Sequence, residues 1–152
     1  MRRQIACVVL ILLALTGCGQ GRPDELTIQD GYIRVPSPGA SMAAAYFVVQ
    51  GPEADRLIAA DIEGISVTEL HTVEQTADGV MKMRPVEGYD LPQGGSLVLE
   101  PGGNHLMLMA IDEPLEPGQW RRATLRFASG QEAVVELEVK GQRQRGGAHA
   151  NH

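Results

Sequence analysis

Two of the four histidines and four of the six methionines of this 152-residue chain fall between His71 and Met109. They form two groups, Met81-Lys82-Met83 and His105-Leu106-Met107-Leu108-Met109, with His71 upstream of both. In an extended strand, residues i and i+2 point to one side. His105 and Met107 therefore project together with Met109 behind them, while Leu106, Leu108 and Ala110 face the other way. Imidazole nitrogen combined with thioether sulfur is a soft, uncharged donor set, which favours Cu(I) over hard cations. On such donors Cu(I) keeps a single positive charge and is far cheaper to bury than Cu(II). Taken one at a time these residues are ordinary. A methionine on a strand usually fills a gap in the core, and a lone histidine is usually structural. Their joint spacing is what calls for an explanation.

The rest of the chain must place these side chains, and its first residues say where. Met1 to Gly17 reads as a signal peptide: Arg2 and Arg3, then an apolar run from Ile5 to Leu15. That run is too short to span a bilayer, which takes roughly 20 apolar residues. It ends in Leu15-Thr16-Gly17-Cys18, which resembles a bacterial lipobox. The resemblance implies cleavage before Cys18 and lipidation of its thiol, with residues 18–24 as a tether. Two or three acyl chains, at about 0.8 kcal/mol per buried methylene, make a stable membrane anchor. Cys7 leaves with the signal and Cys18 carries lipid, so the mature domain has no free thiol. It can form neither a disulfide nor a thiolate metal site, and any metal must be held by His, Met or carboxylate. Loss of Arg2 and Arg3 takes the formal charge from −6 to −8. An acidic surface of this kind argues against nucleic acid as a partner.

Several short strands are legible. Leu26–Val35 alternates, with Asp30-Gly31 as a bulge or bend. Met42–Val49, Asp55–Ile62, Ile65–Val73, Met81–Val86, Ser96–Glu100 and His105–Ile111 follow. Asp78-Gly79 marks a hairpin, and Pro85 places its strand at an edge or a break. Residues 88–95 read as a loop. Trp120–Ala128 and Glu132–Lys140 close a hairpin around Ser129-Gly130, with Ala133, Val135, Leu137 and Val139 opposing a charged face. Turn signals every 8–14 residues with no amphipathic helix predict an all-β sandwich or barrel. One domain spans 25–140, and the 141–152 tail, with His149 and His152, lacks the apolar residues to fold.

From His71 the spacing runs Thr72, ten residues, Met83, twenty-one residues, His105, one residue, Met107. This resembles the H(M)x10Mx21HxM signature of the PCu(A)C family of periplasmic copper chaperones, over roughly residues 25 to 140. The segments from Val80 to Val86 and from Leu99 to Met109 look like the two most recognisable stretches of that family. The optional methionine after the first histidine is Thr72 here. The resemblance implies a cupredoxin-like Greek-key fold and makes His71, Met83, His105 and Met107 the copper ligands. It also implies a carrier supplying copper to a cytochrome oxidase subunit or to another copper chaperone. Met42, Met81 and Met109 are further thioethers that could reach the metal. Core packing is the ordinary role for each.

The expectation is therefore a monomeric, periplasm-facing lipoprotein of the cell envelope that carries Cu(I). Gly19 after the lipidated cysteine, in place of the Asp that retains lipoproteins at the inner membrane, leans towards the outer one. An imidazole must be neutral to bind metal, so affinity is expected to fall as pH drops through the ordinary histidine range. No nucleophile–base pair, phosphate loop or paired carboxylates suggest an enzyme. A blue-copper electron carrier needs a cysteine ligand that the mature domain lacks. Copper sequestration would use the same four residues and is the alternative function. A metal-free structural β-module comes third.

Overall fold

The computed structural model describes residues 24–36 and 40–141. The signal peptide, Cys18 and all but Gly141 of the tail lie outside the described residues. Ten strands follow in order: β1 (Thr27–Arg34), β2 (Ala43–Gln50), β3 (Asp55–Ile62), β4 (Ile65–Gln75), β5 (Met81–Pro85), β6 (Tyr89–Leu91), β7 (Ser96–Leu99), β8 (His105–Ile111), β9 (Trp120–Phe127) and β10 (Glu132–Lys140). Hydrogen-bonded neighbours run β4-β8-β2-β1-β10-β9-β3, and β3 returns to β4, which closes a seven-stranded barrel. The closing step is a short hairpin in which Ile62 pairs with Ile65 across Glu63-Gly64, Gly64 taking φ +77°. Closure removes most free sheet edges. β5 extends the sheet beyond β4, β6 lies along β3, and β7 continues the line of β8 against β2.

Period-two burial builds the barrel. β2 alternates without a break: Ala43, Ala45, Phe47 and Val49 are buried, while Ala44, Tyr46, Val48 and Gln50 are partly open. The interior is filled by Ile33, Phe47, Leu57, Leu106, Leu108, Leu125 and Leu137 from six different strands. Each such side chain contributes about 1.5–3 kcal/mol by leaving water. The small alanines of β2 lie beside Leu106 and Leu108 of β8, so small and large residues alternate across the pair. The expected bulge is present: register shifts between Gln29 and Tyr32, with Asp30 at φ 55°. Gly31 sits where an added Cβ would meet Leu137 Cδ2 at 2.6 Å.

Two expectations need correction. Residues 88–95 are not all loop, because Tyr89–Leu91 pairs with Asp55–Leu57 as β6. Tyr89 and Leu91 are buried and Asp90 is exposed, an alternation too short to stand out between Gly88 and Pro92. Ala110 does not continue the inward face of Leu106 and Leu108. Its φ of +48° turns it out of the pleat, and it is exposed.

Candidate metal centre

β4 and β8 are antiparallel neighbours in a register that sets His71 directly opposite His105. Directly opposed residues share a face of the sheet, and the two imidazoles lie side by side with ring centroids 5.9 Å apart. Met107, two residues along β8, stands opposite Glu69 on β4 and Ala44 on β2. Met83 on the edge strand β5 pairs with Val73, two residues beyond His71. By strand parity all four candidates occupy the outward face, while Leu70, Leu106 and Leu108 point into the core. Met83, His105 and Met107 line one cavity of about 380 Å³ together with Met42, Tyr46 and Val73. His71 is outside that lining and joins the group through its contact with the His105 ring.

Hydrogen-bond accounting separates the two imidazoles from ordinary buried histidines. His105 is 3% exposed, and its Nδ1 lies 3.0 Å from the carbonyl of Gly103. A carbonyl only accepts, so Nδ1 carries the proton and Nε2 keeps a lone pair. That Nε2 is buried and has no hydrogen-bond partner among the described residues. In His71 the roles are reversed: Nε2 lies 2.9 Å from Glu69 Oε2, and the buried Nδ1 has no hydrogen-bond partner among the described residues. An unsatisfied buried polar atom costs about 1–3 kcal/mol. Here two of them belong to touching rings, each with the opposite nitrogen fixed by an oxygen acceptor. This is the arrangement that orients metal-binding histidines. Among the described residues no three His, Cys, Asp or Glu side chains gather as a metal site. Beside the Glu69 carboxylate that holds His71, this face offers two imidazoles and neighbouring thioethers, a donor set that fits a soft monovalent cation.

The remaining methionines divide by position. Met42 is 49% exposed and lines the same cavity. Met81 pairs with Gln75 at the far end of β5, 57% exposed and outside the cavity. Met109 pairs with Val67 beyond Met107 and lines a separate hollow.

Three neighbours of the site were not apparent from the sequence. Glu69, two residues before His71 on the same strand face, could have been found by parity alone. Tyr46 lies beside His105 with ring centroids 6.4 Å apart and stacks towards Tyr32 at 5.1 Å. The Arg34 guanidinium sits over both tyrosines. Burial raises the Tyr46 phenol above its usual range, with the Arg34 charge opposing and Tyr32 adding to the rise. Tyr89 gave no signal at all. Its hydroxyl lies 2.6 Å from the carbonyl oxygen of His71 and 2.8 Å from that of His105. One phenol thus shares its proton between the backbones of both histidines from the core side.

Burial pushes the Tyr89 phenol from 10.0 up to about 12. A folded-state pKa raised above the unfolded value gives stability that is fully present below that value and is lost as pH rises through the folded one. Stability is therefore expected to decline between pH 10 and about 12, and Tyr89→Phe should remove that part of the decline. Denaturant melts of both proteins across this window check it. Equal alkaline losses would show that Tyr89 is not the group responsible.

The family model described as "Putative lipoprotein LpqE-like" matches residues 26–139. The chain belongs to this LpqE-like family. A curated relative, "Putative lipoprotein Lxx21020" of Leifsonia xyli subsp. xyli, is 33% identical, over 88% of this chain and 86% of the relative. Among solved structures, the copper-bound PCuAC domain from PmoF2 superposes on the LpqE-like chain with a TM-score of 0.64 at 22% identity. That match covers 78% of this chain and 94% of the PmoF2 domain. The solution structure of CuI-DR1885 from Deinococcus radiodurans gives 0.59 at 25% identity, over 84% and 85% of the two chains. These likenesses establish the PCuAC-type, cupredoxin-like barrel as the fold of this LpqE-like protein.

Proposed function

We propose that this LpqE-like chain is a copper carrier of the cell envelope, binding Cu(I) through His71, Met83, His105 and Met107. The observation that carries the proposal is the pair of touching imidazoles with one unpartnered buried nitrogen each, flanked by Met83 and Met107. Support also comes from the fold it shares with a copper-bound PCuAC domain and with CuI-DR1885. Glu69 beside His71 offsets the charge of the ion across one imidazole, a further reason for a cation to rest there. The four donors are unequally accessible: Met83 is 53% exposed and His105 is 3% exposed. Release therefore starts at Met83, where an incoming donor displaces one thioether while the histidines still hold the ion. No electron or proton need move. The recipient would be a copper centre such as that of cytochrome oxidase, or another carrier. Lipidation of Cys18 would keep the barrel within roughly 30 Å of the bilayer, the extended reach of the residues before β1.

X-ray absorption of the Cu(I)-loaded chain tests the centre. The expected first shell is two nitrogen and two sulfur neighbours at one tightly bound equivalent. A shell of nitrogen and oxygen alone would overturn it.

A further inference from the structure

The proposed centre does not use every thioether on this face. A second hollow of about 650 Å³ lies beside the first, walled by Met42, Met109, Ala110, Ile111, Pro114 and Leu115 among others. Met42, Pro36 and Ala40 belong to both walls, so the two cavities share a boundary. The last paired residues of β2 and β8 bring Met42 and Met109 to the same end of the strand pair. Ala44 pairs with Met107 and Ala43 with Leu108; Met42 immediately precedes β2 and Met109 immediately follows Leu108, and both line this hollow. Parity along β8 puts Met109 on the face that carries Met107, and Met42 lines the cavity of Met107 as well. Half of Met42 is open to solvent, which is not how a methionine that only fills a core gap is placed. The residue after Met109 is the left-handed Ala110, a conformation costing an alanine roughly 1–2 kcal/mol. Strain of this kind persists where the surroundings hold it, often beside binding sites. Among the described residues no charged side chain lines this hollow, so a cation there would be held by sulfur.

We infer that Met42 and Met109 form a second, weaker Cu(I) site, a two-thioether station through which the ion enters and leaves the main centre. The inference rests on the four-ligand reading and extends it. Cu(I) moves by exchange: a bond to Met42 forms as a bond to Met107 or Met83 breaks, with no change of oxidation state and no proton transfer. Two thioethers hold the ion less tightly than two imidazoles with two thioethers. The station therefore fills second and empties first.

The test follows the methionine methyl resonances of the full chain under titration with Ag(I), a redox-inert stand-in for Cu(I). Single Met→Leu variants assign the signals. The first equivalent should move Met83 and Met107, and the second should move Met42 and Met109 together. The double variant Met42→Leu/Met109→Leu should lose the second event and slow chelator extraction of Cu(I) about tenfold, with first-site affinity held within about threefold. The inference falls if the double variant changes neither the second event nor the extraction rate. It also falls if Met42→Leu weakens the first equivalent as much as Met83→Leu, because Met42 would then belong to the main centre. Failure of the four-ligand reading looks different: Met83 and Met107 would not respond to the first equivalent, and His105→Ala would bind as the parent does.

Discussion

Replacing His105 with alanine is expected to lower Cu(I) affinity about a thousandfold, or ~4 kcal/mol. Of the four proposed ligands it is the most enclosed, 3% exposed against 53% for Met83, so solvent is least able to replace it. Its tautomer is already set by the Gly103 carbonyl, and the free Nε2 is buried with nothing to pair with. The lone pair needs no reorientation before it binds, which makes its loss large. Met83→Leu should cost far less, about tenfold, because an exposed thioether with free rotamers is held less firmly and a partner or solvent can stand in for it. Anaerobic competition titrations against a Cu(I) chelator measure both values. A ligand that binds only the folded state raises the melting temperature, so Cu(I) should stabilise the parent strongly and the His105→Ala chain hardly at all. An affinity for His105→Ala within about threefold of the parent would remove His105 from the centre.

How much of this was readable from residues alone differs by feature. Most strands were, because the barrel is built on period-two burial that the chain writes openly in β10, while β2 was legible as a short apolar run ending in aromatic and β-branched residues. The bulge at Asp30-Gly31 could be read as well, since few residues other than Asp and Gly tolerate that backbone. β6 could not: three residues hold one alternation, and only the pairing to β3 makes them a strand. Within the site, parity alone puts His105, Met107 and Met109 on one face. It cannot say that β4 lies beside β8 in a register opposing His71 to His105, because register between strands thirty residues apart depends on the packing of the whole barrel. Tyr89 shows the limit most clearly. It serves the two histidines through their backbone carbonyls, and no spacing between side chains encodes a contact to main-chain oxygen.

Leu106→Ala, one residue from His105, should give the opposite phenotype. Leu106 is 0% exposed and belongs to the core cluster with Leu108, Leu70 and Phe47. Deleting its outer atoms loses their transfer free energy and leaves a cavity, for a cost of about 2–5 kcal/mol. Relaxation is limited because β8 is paired to β2 on one side and β4 on the other, so the upper part of that range is expected. Folding stability in chemical denaturant should fall by that amount. First-equivalent Cu(I) affinity in the folded state should change by less than about tenfold, since the outward face keeps its side chains and its register. The contrast between neighbouring positions follows from strand geometry: successive residues of β8 report on opposite sides of one sheet. A loss below about 1 kcal/mol would show that Leu106 is not the packed residue its burial implies. A loss of copper affinity as complete as that of His105→Ala would show that the core holds the centre in place. The two faces of β8 would then have to be treated as one unit.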